Sequence, residues 1–260
     1  MEYREFEPPP TLAPLLKCLW TLEGSPPDTA QDPIFPDGSP EIIFNLGDSF
    51  RAFGPSGELV DQPLAMLVGQ ITAPFTVYAS GNVRLVGMRL HPFGGAVLTD
   101  DMSQLTNQWT SLKVDWPPQQ GTVGEGRDAA LAAAIAVVLP LVEHGRPVHP
   151  HVQEACNAIR DARGNIALDE LATSLGTTSR TLQRRFAREV GIGPKLLARI
   201  TRFQNVFSAW REDPGTLARV AADCGYFDQS HLVRDFRDFA GDAPAAALTE
   251  QAQFTAFFLP

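Results

Sequence analysis

The 260-residue chain has the composition of a globular protein, with 44% hydrophobic residues, 20% charged residues and a net charge of −9. This length is enough for two ordinary domains, each with its own core. Cys18, Cys156 and Cys224 lie far apart without a C-x-x-C pair, which argues against a disulfide framework and a zinc cluster. No segment has the pattern of a secretory signal or a membrane-spanning helix, so we expect a cytoplasmic protein without a membrane partner.

Short segments with the pattern of β-strands occupy the first half of the chain. They are rich in β-branched and aromatic residues, Pro and Gly are frequent between them, and four of them read EIIFNLG, AMLVGQ, FTVYAS and VRLVGMRLH. The last two flank the pair Gly81-Asn82, which predicts a hairpin. We expect a β-rich domain over residues 1–123, with helices from about Gly95 onward.

The polar and nucleophilic residues of this half form no known catalytic or metal motif. A metal site in a cupin-like barrel needs several clustered histidine and carboxylate ligands, and here only His91 lies in the predicted strands. Cys18 is either a reactive thiol or, as its apolar neighbours favour, a buried structural cysteine. Asp37, Asn45 and Arg89 are either ligand contacts or, as we favour, hydrogen-bonded core groups. We therefore predict no catalytic residue, metal or cofactor.

A helical connector is predicted over residues 124–150. The segment EGRDAALAAAIAVVLPLVEHGRP contains a long uncharged run, but this run is too short to span a bilayer. The predicted helix could form a dimer, pack on the β-rich domain, or do both.

Positive charge is concentrated in the second half of the chain. Residues 1–145 hold 7 Lys and Arg against 17 Asp and Glu, whereas residues 146–260 hold 14 against 13. Within Ser179 to Arg202 there are seven basic residues and one acidic residue. Because the local field attracts a polyanion, the overall negative charge does not exclude nucleic acid as a partner.

An internal repeat lies in this basic half. The sequence ELATSLGTTSRTLQRRFAREVGIGP recurs about 50 residues later as RVAADCGYFDQSHLVRDFRDFAGDAP, with a one-residue offset inside the turn. Each copy contains a small alanine where two helices approach, a glycine suited to positive φ at a helix end, and an N-cap residue, Thr178 or Asp228. The pattern predicts two helix-turn-helix motifs, at about 168–190 and 216–240.

A linker helix is predicted between the two copies. The sequence PKLLARITRFQNVFSAWRED begins with Pro194 and carries apolar residues at three- and four-residue steps, which indicates one long helix at about 194–211. Two recognition helices held by this linker could enter successive major grooves of a duplex, about 34 Å apart. A solenoid of helical hairpins would need about three or more copies.

The segment from about Asn165 to Ala246 resembles the DNA-binding domain of AraC/XylS-type transcription regulators. GYFDQSHLVRDFRDFAGDAP is similar to the signature of that family, and LATSLGTTSRTLQRRFAREVGIGP matches its first motif. The resemblance implies two helix-turn-helix units joined by a linker helix within residues 151–250, binding an asymmetric site of two half-boxes. FPDGSPEIIFNLGDSF and LVGQITAPF resemble a sensor-like domain fused to such domains, and some of these sensors form a cupin-like barrel around a small molecule. The expected fold class is therefore α+β: a β-rich domain with flanking helices, then an all-α domain.

The resemblance places the base-contacting positions on the second helix of each unit. They fall on Arg180, Gln183 and Arg184 in the first unit and on Gln229, Ser230, His231 and Arg234 in the second. Arginine can bond two acceptors of guanine at once, and glutamine can pair with adenine. The candidate phosphate contacts, which would set register without reading sequence, are Ser179, Arg188, Lys195 and Arg199.

The second unit is expected to be the weaker reader. Asp235 and Asp238 lie beside its arginines and reduce the positive charge of the helix. Arg234 could clamp a phosphate instead of reading a base. Structural roles in holding or capping the helix start are equally open to Gln229, Ser230 and His231.

We hypothesise a transcription regulator without enzymatic activity whose partner is double-stranded DNA. Further candidate partners are RNA polymerase, a small-molecule effector acting through the N-terminal domain, and a second copy of the chain. One rival is a DNA repair or modifying enzyme that transfers a group to Cys18 and uses the C-terminal domain for delivery. The other is a regulator whose N-terminal half serves only for protein interaction.

Overall fold

The computed structural model describes residues 1–25, 31–54, 56–79, 81–116, 126–213 and 215–249. The first half of the chain is built from two antiparallel sheets and the second half from helices, so the α+β fold class is confirmed. The predicted boundary between the β-rich domain and the connector, at residues 123 and 124, lies outside the described residues, as does residue 250.

Two sheets make up the N-terminal domain. The strands are β1 (Glu2–Phe6), β2 (Leu16–Gly24), β3 (Gln31–Ile34), β4 (Glu41–Asn45), β5 (Arg51–Phe53), β6 (Leu59–Asp61), β7 (Ala65–Val68), β8 (Phe75–Tyr78), β9 (Val83–Leu90) and β10 (Trp109–Ser111). The larger sheet has the order β1-β2-β9-β4-β7-β10 and the smaller sheet the order β3-β8-β5-β6. Two 3-10 helices, Gly94–Val97 and Met102–Leu105, begin where helices were predicted, but β10 returns the chain to the larger sheet.

The predicted hairpin across Gly81-Asn82 is wrong. β8 pairs with β3 and β5 in the smaller sheet, whereas β9 lies between β2 and β4 in the larger one. Gly81 has a positive φ of 70°, as a tight turn requires, but the backbone N–H of Asn82 donates to Asp48 Oδ2 (2.7 Å). Because β9 is buried along most of its length, it is stable in the middle of a covered sheet. This burial outweighs the local turn signal.

The larger sheet is covered on both faces. On one face, helix α1 (Arg127–Glu143) buries Ala134 and Val138 in a cluster with Phe44 and other residues of the sheet. On the other face, Trp20 of β2 packs in a cluster with Val77 of the smaller sheet. Of the two roles left open for the connector, packing on the β-rich domain is therefore confirmed.

The C-terminal half is helical. The helices after α1 are α2 (Pro150–Asp161), α3 (Leu168–Ser174), α4 (Ser179–Val190), α5 (Pro194–Glu212), α6 (Leu217–Asp223), α7 (Gln229–Ala240) and α8 (Pro244–Thr249). Helices α3 and α4 form one helix-turn-helix unit, α6 and α7 form the other, and α5 links them. No helix of the described residues is both long and apolar enough to cross a membrane.

The turns of the two units are stabilised in the same way. Gly176 and Gly225 end the first helix of each unit with positive φ (63° and 77°), which costs glycine little because it has no Cβ. The predicted N-caps are confirmed: the side chains of Thr178 and Asp228 each accept the backbone N–H three residues later, at 3.2 and 2.7 Å.

Linker helix α5 supplies the aromatic core of the second unit. The buried ring of Phe203 lies 5.1 Å from that of Phe207, 5.0 Å from Phe236 and 5.3 Å from Phe239, measured between ring centroids. Aromatic pairs at such distances add to the free energy of burial, so α7 is firmly held on α5.

An ion pair joins α5 to α7 beside this core. Arg199 donates from Nε and Nη2 to Asp235 Oδ1 (3.0 and 2.6 Å) and from Nη2 to Asp238 Oδ2 (2.6 Å). The side chain of Asp235 is 1% exposed, whereas that of Asp238 is 56% exposed. The two carboxylates therefore share one cation in very different environments.

The two halves of the chain also share an interface. The ring of Phe35 packs on Phe203 and Phe207 of α5, with centroid distances of 6.2 and 6.3 Å. Gln204 of α5 donates to the carbonyl oxygen of Pro36 (2.6 Å). Linker helix α5 thus contacts the N-terminal domain as well as the second helix-turn-helix unit.

The two carboxylates allow a matched stability test of this ion pair. Asp235→Ala should lower the free energy of unfolding by about 3 kcal/mol, because it leaves the partly buried Arg199 cation without its buried partner. Asp238→Ala should cost less than about 1 kcal/mol, because an exposed ion pair contributes little. Urea unfolding of both variants measures the difference, and equal losses would contradict the role assigned to Asp235.

Candidate nucleic-acid interface

Helix α4 separates an apolar face from a polar face. Leu182 and Phe186 are buried in the C-terminal core, whereas Arg180, Gln183 and Arg184 are exposed. All three predicted base-contacting residues of the first unit therefore reach solvent on one helix. Their pattern of charge and amide groups matches the donors that read guanine and adenine in a major groove.

The candidate phosphate contacts of the first unit have different surroundings. The side chain of Lys195 is exposed at the start of α5. The hydroxyl of Ser179 donates to the carboxylate of Asp169, and it remains exposed. Arg188 donates from Nε to the backbone carbonyl of Asp100 (3.1 Å), so this side chain bridges α4 and the N-terminal domain.

Further contacts hold the C-terminal end of α4 on the N-terminal domain. The hydroxyl of Thr106 donates to the carbonyl oxygen of Gly191 (2.7 Å). The buried carboxylate of Glu189 accepts the backbone N–H of His149 (2.8 Å) from the segment between α1 and α2. The N-terminal end of α4, which carries Arg180 and Arg184, is therefore exposed, while its other end is fixed.

Helix α7 presents a similar exposed face. Gln229, Ser230 and Arg234 are exposed and line a shallow groove of about 340 Å³. His231 is half-buried, and its ring meets the ring of Tyr226 edge to face at 5.1 Å. This contact favours the structural role for His231, since the ring helps to hold the turn before α7.

Arg199, a candidate phosphate contact, is engaged by carboxylates within the protein. Its guanidinium is engaged by Asp235 and Asp238, so the proposed phosphate contact is corrected to a structural ion pair between α5 and α7. The same contacts change the charge of α7. Its two aspartates share the single cation of Arg199, and Arg234 and Arg237 are exposed on the helix. Arg199 offsets only one of the two negative charges, so α7 remains the less basic of the two helices.

The polar residues of the N-terminal strands form a buried network. Arg89 lies 3.1 Å from Glu41, 3.2 Å from Glu5 and 3.6 Å from Asp37, measured between guanidinium nitrogens and carboxylate oxygens. Burial raises the pKa of Glu41 to about 7, although the Arg89 charge opposes this shift. Asn45 accepts the backbone N–H of Gly47 and donates to a neighbouring carbonyl (both 2.8 Å). These contacts agree with the structural role favoured for Asn45 and Arg89, although Arg89 and Asp37 also line the cleft between the two halves of the chain.

A cleft of about 510 Å³ opens between the two halves of the chain. Lys17, Arg89 and His91 line its N-terminal side, and Arg160 of α2 and Thr201 of α5 line its other side. The Nζ of Lys17 donates to the hydroxyl of Ser39 (2.6 Å) and forms no ion pair within the described part of the chain. This volume lies within the range of small-molecule sites.

The cationic groups of this cleft repel one another. Lys17 is exposed to solvent where it lines the cleft, and there the charges of Arg89 and Arg160 repel its ammonium group while Asp37 attracts it. Burial lowers the pKa of His91, helped by the charges of Lys17 and Arg160. An anion bound here would relieve this repulsion and favour the charged forms of both side chains.

A second, smaller cavity lies between the two sheets. Its volume is about 70 Å³, and its lining is mainly apolar, with Trp20, Phe50 and Met66 among the residues. Asp37 lines both this cavity and the cleft. The cavity is too small for a drug-sized ligand, so the cleft is the better candidate site in the N-terminal domain.

The thiol of Cys18 is less enclosed than its apolar neighbours in the sequence predicted. It is half-buried and lines the cleft, so the expectation of a buried cysteine is wrong. Burial nevertheless raises the pKa of Cys18 to about 11, which keeps the thiol protonated at neutral pH. A protonated thiol is a poor nucleophile, and this argues against group transfer to Cys18. Within the described residues, no group of three or more His, Cys, Asp and Glu side chains could hold a metal ion.

Two family models match the chain. Residues 171–250 match a model described as a helix-turn-helix domain, and residues 4–111 match a domain of unknown function, DUF6597. A search of curated protein sequences finds no significant match.

Solved structures of ToxT from Vibrio cholerae are similar in fold. The 1.65 Å structure in the P21 form is 10% identical, with 88% of this chain and 97% of that chain covered at a TM-score of 0.50. Wild-type ToxT of strain SCE256 bound to an unsaturated fatty acid is 12% identical, with coverage of 88% and 93% at a TM-score of 0.46. At such low identity, the likeness of the first structure concerns the fold alone.

The family matches agree with the geometry of the two helix-turn-helix units. The helix-turn-helix model begins at Leu171 in α3 and spans α4, the linker helix α5 and α7. The resemblance drawn from the repeated motifs is confirmed. The C-terminal half carries an AraC-type helix-turn-helix domain, which follows a DUF6597 domain in the chain.

Proposed function

We propose that this protein is a transcription regulator of the AraC type that reads two adjacent major-groove segments of one duplex, the first with α4 and the second with α7. The observation that carries the proposal is the exposed polar face of α4, where Arg180, Gln183 and Arg184 reach solvent above a buried apolar face. Helix α7 repeats the arrangement with the exposed side chains of Gln229, Ser230 and Arg234. Both helices belong to units joined by the linker helix α5.

The two sets of contacts have different tasks in this proposal. Side chains of α4 and α7 read base edges, with arginine suited to guanine and glutamine suited to adenine. Ser179, Arg188 and Lys195 contact phosphates and set the register of the protein on the duplex. Because phosphate contacts release counterions, binding weakens steeply as the salt concentration rises.

Arg184 provides the direct test of base reading. The DNA is an operator that the wild-type protein selects from random duplexes. Arg184→Ala should weaken binding to this operator by about 1–3 kcal/mol and relax specificity at one base pair, because a bidentate contact is lost. Fluorescence anisotropy with all four base pairs at each operator position measures both effects. The control is Arg51→Ala, which removes an exposed arginine of the N-terminal domain. An equal loss on operator and random duplexes would show that Arg184 contacts only phosphate.

We further propose that a small anionic molecule binds in the cleft and modulates DNA binding. The carrying observation is the cluster of Lys17, Arg160 and His91 around a cleft of about 510 Å³, with Lys17 lacking a carboxylate partner among the described residues. The apolar side chain of Leu197 also lines the cleft. Two carboxylates, Glu5 and Asp37, also line the cleft, but both lie near Arg89. Lys17, His91 and Arg160 are therefore the side chains that would hold a bound carboxylate.

The position of the cleft connects it to the DNA-binding surface. Leu197, Thr201 and Gln204 of α5 line the cleft, while other residues of α5 form the core beneath α7. In addition, Arg188 cannot donate the same N–H to Asp100 and to a DNA phosphate. A ligand that binds one relative arrangement of the domains better than another would therefore change the affinity for DNA.

The ligand proposal is tested with octanoate and with octylamine as the oppositely charged control. Octanoate should raise the thermal unfolding midpoint, since a ligand at one hundred times its Kd adds about 2.7 kcal/mol to stability. Lys17→Met should abolish this shift, whereas Lys113→Met, which removes an exposed lysine outside the cleft, should retain it. An equal shift with octylamine, or an unchanged shift in Lys17→Met, would contradict an anion site at Lys17.

The remaining partners follow from the regulator role as proposals. We place the protein in the cytoplasm with double-stranded DNA and RNA polymerase, and we assign it no enzymatic step. We also propose that two copies associate through the outer face of α1, where the exposed residues Ala132, Ala136 and Pro140 carry no charge. A helix that is apolar on its inner and outer faces is typical of a helix buried on both sides.

A charge on the outer face of α1 tests the dimer. Ala136→Arg should turn a dimer into a monomer while leaving the unfolding midpoint nearly unchanged, because Ala136 is exposed in the single chain. Sedimentation velocity over a range of protein concentrations measures the state. Asp128→Arg places the same charge near the start of α1 and should leave association intact. A wild-type protein that is monomeric at all concentrations would refute the dimer.

A further inference from the structure

The turn of the second helix-turn-helix unit contains one more residue than the turn of the first. In both turns the residue after the glycine, Thr177 or Tyr226, donates its backbone N–H to the carbonyl of the alanine five residues earlier, at 3.0 and 2.9 Å. In the first unit the next residue is the N-cap of α4. In the second unit Phe227 comes first, and the N-cap Asp228 follows. Phe227 is therefore the extra residue.

Phe227 is the most exposed large apolar side chain of the described residues. It is 92% exposed, compared with 50% for Phe53 and 41% for Leu64. The neighbouring Tyr226, in contrast, is buried. Packing of the second unit thus uses the tyrosine ring and leaves the phenylalanine ring in water.

The usual structural role of an apolar residue at this position does not apply to Phe227. A residue just before an N-cap often packs against the fourth residue of the helix, which here is Leu232. Leu232 is fully buried, whereas the Phe227 ring is almost fully exposed, so the two do not form such a contact. Keeping a phenylalanine ring in water forgoes about 1.5–3 kcal/mol of burial. The exposed ring gains this free energy only when a partner covers it.

The position of the ring identifies that partner. Phe227 lies two residues before Gln229 and three before Ser230, at the N-terminal end of α7. In helix-turn-helix proteins, this end of the second helix contacts base edges. In the major groove, the apolar group on a base edge is the 5-methyl group of thymine, and phenylalanine is among the side chains that contact it.

We propose that Phe227 contacts the 5-methyl group of one thymine in the segment that α7 reads. This inference rests on the proposed DNA-reading function and adds to it an apolar specificity contact. The polar side chains of α7 would read donors and acceptors, while Phe227 would distinguish thymine from bases without a methyl group in the major groove.

The experiment uses the full chain and an operator selected from random duplexes by the wild-type protein. Each thymine of the α7 half is replaced in turn by deoxyuridine, which lacks the methyl group and retains the hydrogen-bonding groups. Wild-type protein should lose about three- to fivefold in affinity at one such position, as expected for one methyl group. Phe227→Ala should bind the unmodified operator about tenfold more weakly and should not respond to deoxyuridine at that position.

Two controls separate the loss of a DNA contact from a general effect of the substitution or a loss of stability. Phe53→Ala, which removes the other strongly exposed phenylalanine, should behave as the wild type on every duplex. The thermal unfolding midpoint of Phe227→Ala should be unchanged, because its ring makes little contact in the folded chain. Wild-type affinity in Phe227→Ala, a retained response to deoxyuridine, or an equal loss on random DNA would each overturn the thymine contact. A wild-type protein that selects no operator would overturn the proposed function itself.

Discussion

The packing of the Phe203 ring is the interaction on which the arrangement of α5, α7 and the N-terminal domain depends. The ring is fully buried and touches Phe207 on its own helix, Phe236 and Phe239 on α7, and Phe35 of the N-terminal domain. One side chain of the linker helix thus belongs to the core of the second reading unit and to the interface with the sensor-like domain. Because interiors are close-packed, a shift of either neighbour is felt by the other.

The arginines of the C-terminal half divide into two groups with different functions. Arg199 is held by Asp235 and Asp238, and Arg202 donates to the carbonyl of Gly164 (2.8 Å), so both stabilise the domain. Arg180 and Arg184 remain exposed on α4. Because Asp235 and Asp238 offset the charge of Arg199, the positive field of this surface comes mainly from the arginines of α4.

The linker helix α5 contacts both the second helix-turn-helix unit and the cleft. One side of α5 carries the aromatic core under α7, and another side lines the cleft with Leu197, Thr201 and Gln204. The contact of Arg188 with Asp100 adds a second connection, from α4 to the N-terminal domain. If the proposed ligand and DNA sites are both used, α5 gives them a contiguous physical connection.

Sequence alone determined the helical half in detail. A helix-turn-helix unit is specified by a small alanine, a glycine, an N-cap and a 3.6-residue apolar period within about 25 residues, so the caps Thr178 and Asp228 and the exposed Arg180 and Arg184 were predictable. The repeat of this local code made the family resemblance specific.

Only the tertiary structure decided the features that join distant parts of the chain. Strands β1 and β2 went unrecognised, and β8 and β9 were assigned to one hairpin, because pairing depends on which strands are covered and not on the turn between them. Arg199 finds Asp235 36 residues away, and the cleft combines residues of both domains. Such partners are set by packing between elements, which no local periodicity encodes.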